Sequence, residues 1–371
     1  MNFSAQQERA LLAVSQWLKE RDTPIFRLFG FAGTGKTTLA KHFAYSLDQN
    51  VAFAAFSGKA AKVMRDKGCT NASTIHSLIY AVDQDEETGL VKYKKTNRVM
   101  SAIDMVIIDE CSMVGEQLGE DLMSFRKPIL VLGDPAQLPP VGNEGGFFTD
   151  LKGGEPNFML DEVHRQAAES NILRLATQIR NGKMPSKTFE STDLTITKQI
   201  TVSRAKAADT LLVGRNATRA RYNAKIRQLK GLDPDGPVVG DLIICLKNDK
   251  ELGIFNGSMW RIHKMRRPKK SGDRRLLNMD IQSTDEPTFF TRVSVFEDFF
   301  RDPDAAKKID WRDLRGTQQF DYGYAITTHK AQGSQWDDVV VFDESSVFGS
   351  DRFAWAYTAV TRAAKHLTFA L

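Results

Sequence analysis

Gly30-Phe31-Ala32-Gly33-Thr34-Gly35-Lys36-Thr37 is the stretch that decides the fold. It spells G-x-x-x-x-G-K-T, follows the apolar run Ile25 to Phe29, and precedes the helical pattern Thr38 to Leu47. A strand, a glycine-rich turn and a helix in that order make a phosphate-binding loop. The glycines let consecutive backbone N–H groups curl around an anion, and the helix N-terminus adds the positive end of its dipole. The loop residues Gly33, Thr34, Gly35, Lys36, Thr37 and Thr38 are therefore the expected nucleotide contacts. Lys36 is expected to reach the β and γ phosphates, and the Thr37 hydroxyl to hold Mg²⁺. ATP and Mg²⁺ are the cofactors this predicts.

Outward from the loop, short apolar runs recur at Val51 to Phe56, Met105 to Ile108 and Ile129 to Leu132, with helical patterns in the intervals. That alternation predicts an α/β fold whose parallel sheet is covered on both faces. Ligands of such sheets sit at the carboxyl ends of the strands. Ile107-Ile108-Asp109-Glu110 puts an acidic pair at one of those ends. Asp109 is placed to bind Mg²⁺, directly or through water, and Glu110 to orient and deprotonate an attacking water. The added glutamate points to hydrolysis rather than to transfer onto another acceptor. The loop alone would leave kinases, transporters and switches open.

Residues Val82 to Arg98 interrupt the rhythm with an acidic run, a Thr88-Gly89 turn and the basic, alternating arm Val91-Lys92-Tyr93-Lys94-Lys95, which reads as a projecting β-hairpin. A helix is expected from Asn171 to Arg180 and a strand from Thr210 to Val213. From Val238 to Gln319 short alternating strands and the turns Asn256-Gly257 and Ser271-Gly272 predict a small all-β insertion. The α/β rhythm returns at Tyr324 to Thr327 and Val339 to Phe342, and closes with a helix near Ala354 to Arg362.

Gly133-Asp134-Pro135-Ala136-Gln137-Leu138-Pro139-Pro140-Val141 is the stretch that names a family. It resembles the third motif of superfamily one helicases, in their RecD and Dda-like branch. Further segments resemble that family in order along nearly the whole chain. They are Ser4 to Ala10, Ser57-Gly58-Lys59-Ala60-Ala61, Ser73-Thr74-Ile75-His76, Leu160 to Gln166, Ile326 to Ser334 and Tyr357 to Ala363.

The resemblance implies two RecA-like P-loop domains with parallel sheets, a short β-hairpin pin in the first and an SH3-like β insert in the second. Residues 1–80 and 100–160 would form the first domain, 81–99 the pin, 161–238 and 320–371 the second domain, and 239–319 the insert. It implies that Gln7 contacts adenine, that Gln137 senses the γ-phosphate, and that Arg165 and Arg362 stabilise charge on it across a cleft. Gly333 joins the nucleotide contacts through its motif. Ser57, Lys59, Thr74 and His76 on one domain, with Asn216 and His329 on the other, would line a single-stranded DNA track. Tyr93 would stack on the end of a duplex from the pin. The family's usual glycine stands as Trp260 here. The implied activity is an ATP-dependent DNA helicase moving 5′-to-3′, with single-stranded DNA and a DNA fork as partners, a single-strand-binding protein alongside, and a monomer as the working unit.

The composition is compatible with this without demanding it. The chain has 371 residues, enough for two core domains with small insertions. Fifty-one Lys and Arg against 46 Asp and Glu leave a net charge of +5, so any basic nucleic-acid surface must be local. Arg261 to Arg275 is one basic arm, suited equally to DNA or to solvent. Three separated cysteines, Cys69, Cys111 and Cys245, indicate neither a zinc site nor a disulfide framework. No apolar run is long enough to span a bilayer, and a cytoplasmic location in a bacterial or phage-infected cell is expected. Two other functions stay open: a strand-tracking ATPase that displaces proteins without unwinding, and a nucleic-acid-binding module that uses ATP as a switch. Repair, replication and recombination are all compatible.

Overall fold

The structure, a computed structural model, describes residues 3–84, 91–139, 146–149, 155–162, 170–249 and 251–371, with backbone only at 82–84 and 91–93. Its contacts form two compact units, Met1–Met184 with Ser350–Thr361, and Pro185–Gly349 with Arg362–Leu371.

The first unit is built on a parallel six-stranded sheet. Its strands are β1 (Ile25–Gly30), β2 (Val51–Ala55), β3 (Ser73–Thr74), β6 (Met105–Asp109), β7 (Ile129–Gly133) and β8 (Phe158–Leu160), with β4 (Tyr80–Gln84) and β5 (Val91–Lys95) pairing apart from it. The sheet order is β3-β2-β6-β7-β1-β8. Alternate residues of each central strand enter opposite cores. Leu28, Met105, Ile107, Leu130 and Leu132 pack on one face, and Phe29, Val106, Ile108, Ile129 and Val131 on the other. This is why the strands read as unbroken apolar runs. Helices α1 (Ala5–Glu20), α2 (Lys36–Tyr45), α3 (Gly58–Asp66), α4 (Ile75–Ile79) and α5 (Glu116–Met123) connect them, and the helices Asn171–Arg180 and Arg352–Val360 complete the unit. Helix α1 starts at a reciprocal cap: Gln7 N donates to Ser4 Oγ, and Ser4 N donates to Gln7 Oε1.

The expected hairpin is present as antiparallel β4 and β5, in register from Tyr80↔Lys95 to Gln84↔Val91. Its base is fixed on α5, where Tyr80 donates to Asp121 and Lys95 pairs with the same carboxylate at 2.9 Å. The turn at 88–89 and the Tyr93 side chain lie outside the described residues.

The second unit holds another six-stranded sheet. Its strands are β9 (Phe189–Glu190), β10 (Leu194–Thr197), β11 (Thr210–Val213), β18 (Ala325–Thr327), β19 (Trp336–Phe342) and β20 (Ala363–Ala370). Their order is β18-β11-β19-β20-β10-β9, parallel except for the edge strand β9. Between β11 and β18 the chain forms an antiparallel sheet from β12 (Leu242–Cys245), β13 (Met259–Met265), β14 (Lys269–Ser271), β15 (Arg274–Ser283), β16 (Phe290–Phe296) and β17 (Phe320–Tyr322). A bridge between Val295 and Gln318 ties β16 back to the approach to β17, so this sheet curls into a small barrel. Trp260 points into the barrel core, 2% exposed, with its Nε1 donating to Ser258 Oγ at 2.7 Å. The indole thus fills the core where the family's glycine would leave space.

A buried ion pair roots the barrel. Arg227 donates from Nε to Asp241 Oδ1 at 2.9 Å and from Nη2 to Oδ2 at 3.0 Å. Tyr324 Oη and Val238 N donate to the same carboxylate, at 3.0 and 2.9 Å. Much of the basic arm is neutralised locally. Arg266 and Arg292 share Asp280, Arg274 pairs with Asp298, and Arg275 with Glu297.

Candidate functional site

The phosphate loop sits where β1 ends and α2 begins. Gly35 precedes α2 at φ 79, a left-handed conformation that a side chain would disfavour. Gly30 has another reason to be glycine: a Cβ there would lie 2.7 Å from Leu160 Cβ and 2.9 Å from Leu160 O. Thr34 is buried and its hydroxyl donates to Phe31 O at 2.9 Å. Lys36 Nζ lies over the loop, donating to Gly30 O at 2.7 Å and Phe31 O at 3.1 Å. Gln7, also buried, donates from Nε2 to Thr34 O at 3.0 Å. The first helix is therefore fastened directly to the loop.

The acidic pair closes the other side. Thr37 Oγ1 donates to Asp109 Oδ2 at 2.7 Å. Glu110 N donates to Asp109 Oδ1 at 2.8 Å. Glu110 stands at φ 54, a region costing a residue with a side chain about 1–2 kcal/mol. Strained backbone of that kind clusters at active sites. Among the described residues no group of three or more His, Cys, Asp and Glu gathers into a metal site. A hydroxyl and one carboxylate instead suit an ion that takes its remaining ligands from phosphate and water, as Mg²⁺ does.

Gln137 follows β7 on the loop that begins at Asp134. Its Oε1 is buried and makes no hydrogen bond among the described residues. Three polar side chains that the sequence did not single out share this neighbourhood. Tyr357 Oη accepts from Ala32 N at 3.0 Å and donates to buried Asp134 at 2.7 Å. Arg180, ending the helix Asn171–Arg180, lays its guanidinium 3.4 Å from the centroid of the Phe31 ring. Tyr357 and Asp134 fall inside quoted motifs, but nothing in sequence marks Arg180.

The structure gathers some expected nucleic-acid contacts and separates others. Ser57 and Thr74 come together near the carboxyl ends of adjacent strands, since Ala55 pairs with Thr74. Both cap helices: Ser57 Oγ accepts from Ala60 N at 3.1 Å, and Thr74 Oγ1 from Ser77 N at 3.2 Å. His76 lies half-buried between the rings of Phe56 and Tyr80, at 6.1 and 5.8 Å. Burial lowers its pKa below the ordinary histidine value. Lys59 is buried on α3 rather than presented to solvent.

In the second unit Asn216 is exposed at the start of the helix Asn216–Leu229, just after β11, and His329 follows the neighbouring β18. His329 packs 5.7 Å from the Phe348 ring. Gly333 takes a left-handed φ of 70 after the short helix Thr328–Ala331. Arg362 is buried, donating from Nη1 to Ser334 O at 3.2 Å. Arg165 lies outside the described residues.

Comparison with known proteins agrees with this geometry. The family described as AAA domain matches residues 2–198, and that described as UvrD-like helicase C-terminal domain matches residues 322–370. The ATP-dependent RecD2 DNA helicase of Deinococcus radiodurans is 28% identical over 365 aligned residues, covering 91% of this chain and 45% of that protein. The ATP-dependent DNA helicase dda of Enterobacteria phage T4 is 27% identical over 186 residues, 48% of this chain and 42% of that protein. This chain therefore spans less than half the length of either relative. A Pif1 helicase from Bacteroides in complex with ADP-AlF3 and ssDNA has the same fold, with a TM-score of 0.61 at 16% identity over 100% of this chain and 92% of that one.

Proposed function

The chain belongs to the AAA-domain family and to the superfamily one helicases, and from that membership we propose that it is an ATP-dependent DNA helicase that moves 5′-to-3′ on single-stranded DNA. The observation that carries this is the meeting of Thr37 Oγ1 and Asp109 Oδ2 at 2.7 Å, beside Lys36 and Glu110. A P-loop, a metal-holding pair and a water-orienting acid in one place are the parts that hydrolysis of a nucleoside triphosphate requires.

In this reading the loop amides and Lys36 hold the phosphates, and Gln7, braced on Thr34 O, contacts the base. Thr37 and Asp109 would hold Mg²⁺, which would supply positive charge to neutralise that of the phosphates. Glu110 orients the attacking water and takes its proton. Gln137, whose buried oxygen has no hydrogen-bond partner among the described residues, senses the γ-phosphate. Arg165 and Arg362 stabilise charge as the terminal phosphoryl departs, and Gly333 lets its loop approach the nucleotide.

Residues 1–80 and 100–160 act as the first RecA-like domain, 161–238 and 320–371 as the second, 81–99 as the pin and 239–319 as the SH3-like insert, with the helices Asn171–Arg180 and Arg352–Val360 of the second domain's sequence packed into the first compact unit. Opening and closing of the two RecA-like domains turns hydrolysis into stepping. Ser57, Thr74, His76, Asn216 and His329 line the strand's path. Lys59 contributes helix packing before it contributes charge, because it is buried. The working unit is a monomer on strands that a single-strand-binding protein also covers, in the cytoplasm of a bacterial or phage-infected cell. Among the described residues no helix is long and apolar enough to cross a membrane.

The test is a duplex with one single-stranded tail, 5′ or 3′, incubated with protein, ATP and Mg²⁺. Strand separation on the 5′-tailed substrate alone is the expected result. Separation only with the 3′ tail reverses the polarity. An intact duplex from which a tail-bound blocking protein is nevertheless stripped makes the chain a translocase without unwinding.

A further inference from the structure

The helix Arg352–Val360 presents two consecutive side chains to the nucleotide loops, and the residues flanking Gln137 are held by them. Tyr357, 2% exposed, receives the Ala32 amide of the phosphate loop on its hydroxyl oxygen at 3.0 Å. It gives its proton to Asp134 Oδ2 at 2.7 Å, 223 residues away in sequence. Burial, with the Asp134 carboxylate beside it, holds the Tyr357 hydroxyl well above the ordinary tyrosine range, so it stays a neutral donor. Asp134 in turn fixes the turn ahead: its Oδ1 accepts from Ala136 N at 3.1 Å and its carbonyl from Gln137 N at 3.2 Å. On the other side of Gln137, Leu138 N donates to Thr358 Oγ1 at 2.8 Å. The residues before and after Gln137 are thus tied to adjacent positions of one helix. Of these groups, the Gln137 side-chain oxygen is the one buried without a hydrogen-bond partner among the described residues.

We propose that Tyr357 and Thr358 are positioning residues that aim Gln137 at the nucleotide and register it against the phosphate loop through Ala32. The proposal rests on the reading of Gln137 as the γ-phosphate sensor. Buried hydrogen bonds of this kind form a network whose members act together, because each orients the next. The chain runs on from the end of this helix through Thr361 and Arg362 into β20 of the second unit.

The test is a double-mutant cycle in ATP hydrolysis, with and without single-stranded DNA. Tyr357→Phe removes one hydroxyl and keeps the ring. Thr358→Val removes the acceptor for Leu138 N, and Thr358→Ser restores it. Tyr357→Phe and Thr358→Val are each expected to lower kcat roughly tenfold, with KM for ATP changing less than about twofold. Thr358→Ser should retain most of the wild-type rate. Gln137→Ala should lower kcat at least as far, and Tyr357→Phe combined with Gln137→Ala should be no slower than Gln137→Ala alone. That non-additivity separates positioning from a general structural effect, whose losses would multiply. Multiplying losses, or a Tyr357→Phe rate equal to wild type, overturns the proposal. So does a Gln137→Ala rate equal to wild type. Hydrolysis indifferent to DNA removes the motor reading instead, and the cycle is then decided on the DNA-free rate.

Discussion

Replacing Arg227 by methionine removes one half of the most deeply buried ion pair in the second unit. The side chains of Arg227 and Asp241 are 5% and 0% exposed. In the wild type the Asp241 carboxylate receives four donors, two from Arg227 and one each from Tyr324 Oη and Val238 N. Arg227→Met leaves two donors and an uncompensated buried charge. Breaking such a pair from one side costs about 3–5 kcal/mol.

Adding Asp241→Leu should recover much of the loss, because no buried charge then remains. The assay is urea unfolding of wild type, single and double variants at pH 7, followed by the fluorescence of tryptophans including buried Trp260. A deficit below about 1 kcal/mol at pH 7, or a double variant no more stable than the single one, would refute the reasoning.

Other predictions follow from the first unit. His76 is held below its ordinary pKa by burial, so its contribution to stability is complete above about pH 6.5 and is lost as the pH falls below that. Thermal midpoints between pH 8 and 5 should decline less steeply in His76→Phe, and identical slopes would contradict this. Gly30→Ala places a Cβ 2.9 Å from Leu160 O and 2.8 Å from Thr34 Oγ1, an overpacking expected to destabilise by about 1–3 kcal/mol and to weaken nucleotide binding. A variant as stable as wild type would mean that β1 and β8 are not closely packed there. Tyr93→Ala should leave DNA-stimulated hydrolysis intact and abolish strand separation on a forked substrate; unchanged unwinding would remove the pin from the account.

The parts of the fold legible in sequence are those set by neighbours in the chain. Ile25–Gly30 followed by the glycine-rich turn and α2 is a local unit, and the sequence predicts each piece where it stands. The runs at β2, β6 and β7 were readable because both faces of those strands are buried. The helix Asn171–Arg180 was readable because Ile172, Leu175, Ala176 and Ile179 repeat on one face. What depended on distant pairing was not readable. Nothing near Phe158 announces that β8 will join β1, and nothing near Val295 announces the bridge to Gln318 that curls the insert into a barrel.

The candidate site follows the same division. Lys36, Thr37, Asp109 and Glu110 carry their chemistry in short motifs. The contact of Tyr357 with Asp134 joins two motifs that sequence quotes separately, and Arg180 reaches Phe31 from a helix with no signature of its own. Lys59 was expected at the DNA because Ser57-Gly58-Lys59-Ala60-Ala61 resembles a family motif that meets the strand. Its position in the first turn of α3, beside Ala60 and Ala61, instead turns it into the packed side of that helix.

The central claim is that DNA drives hydrolysis at the loop beside Asp109 and Glu110. Its most direct test is the rate of ATP hydrolysis with and without a short single-stranded DNA, in wild type and in Glu110→Gln. The account predicts strong stimulation by DNA in wild type and a loss of about 10²-fold or more in the variant, with ATP still bound. A wild-type rate indifferent to DNA, or a Glu110→Gln enzyme as fast as wild type, would contradict it.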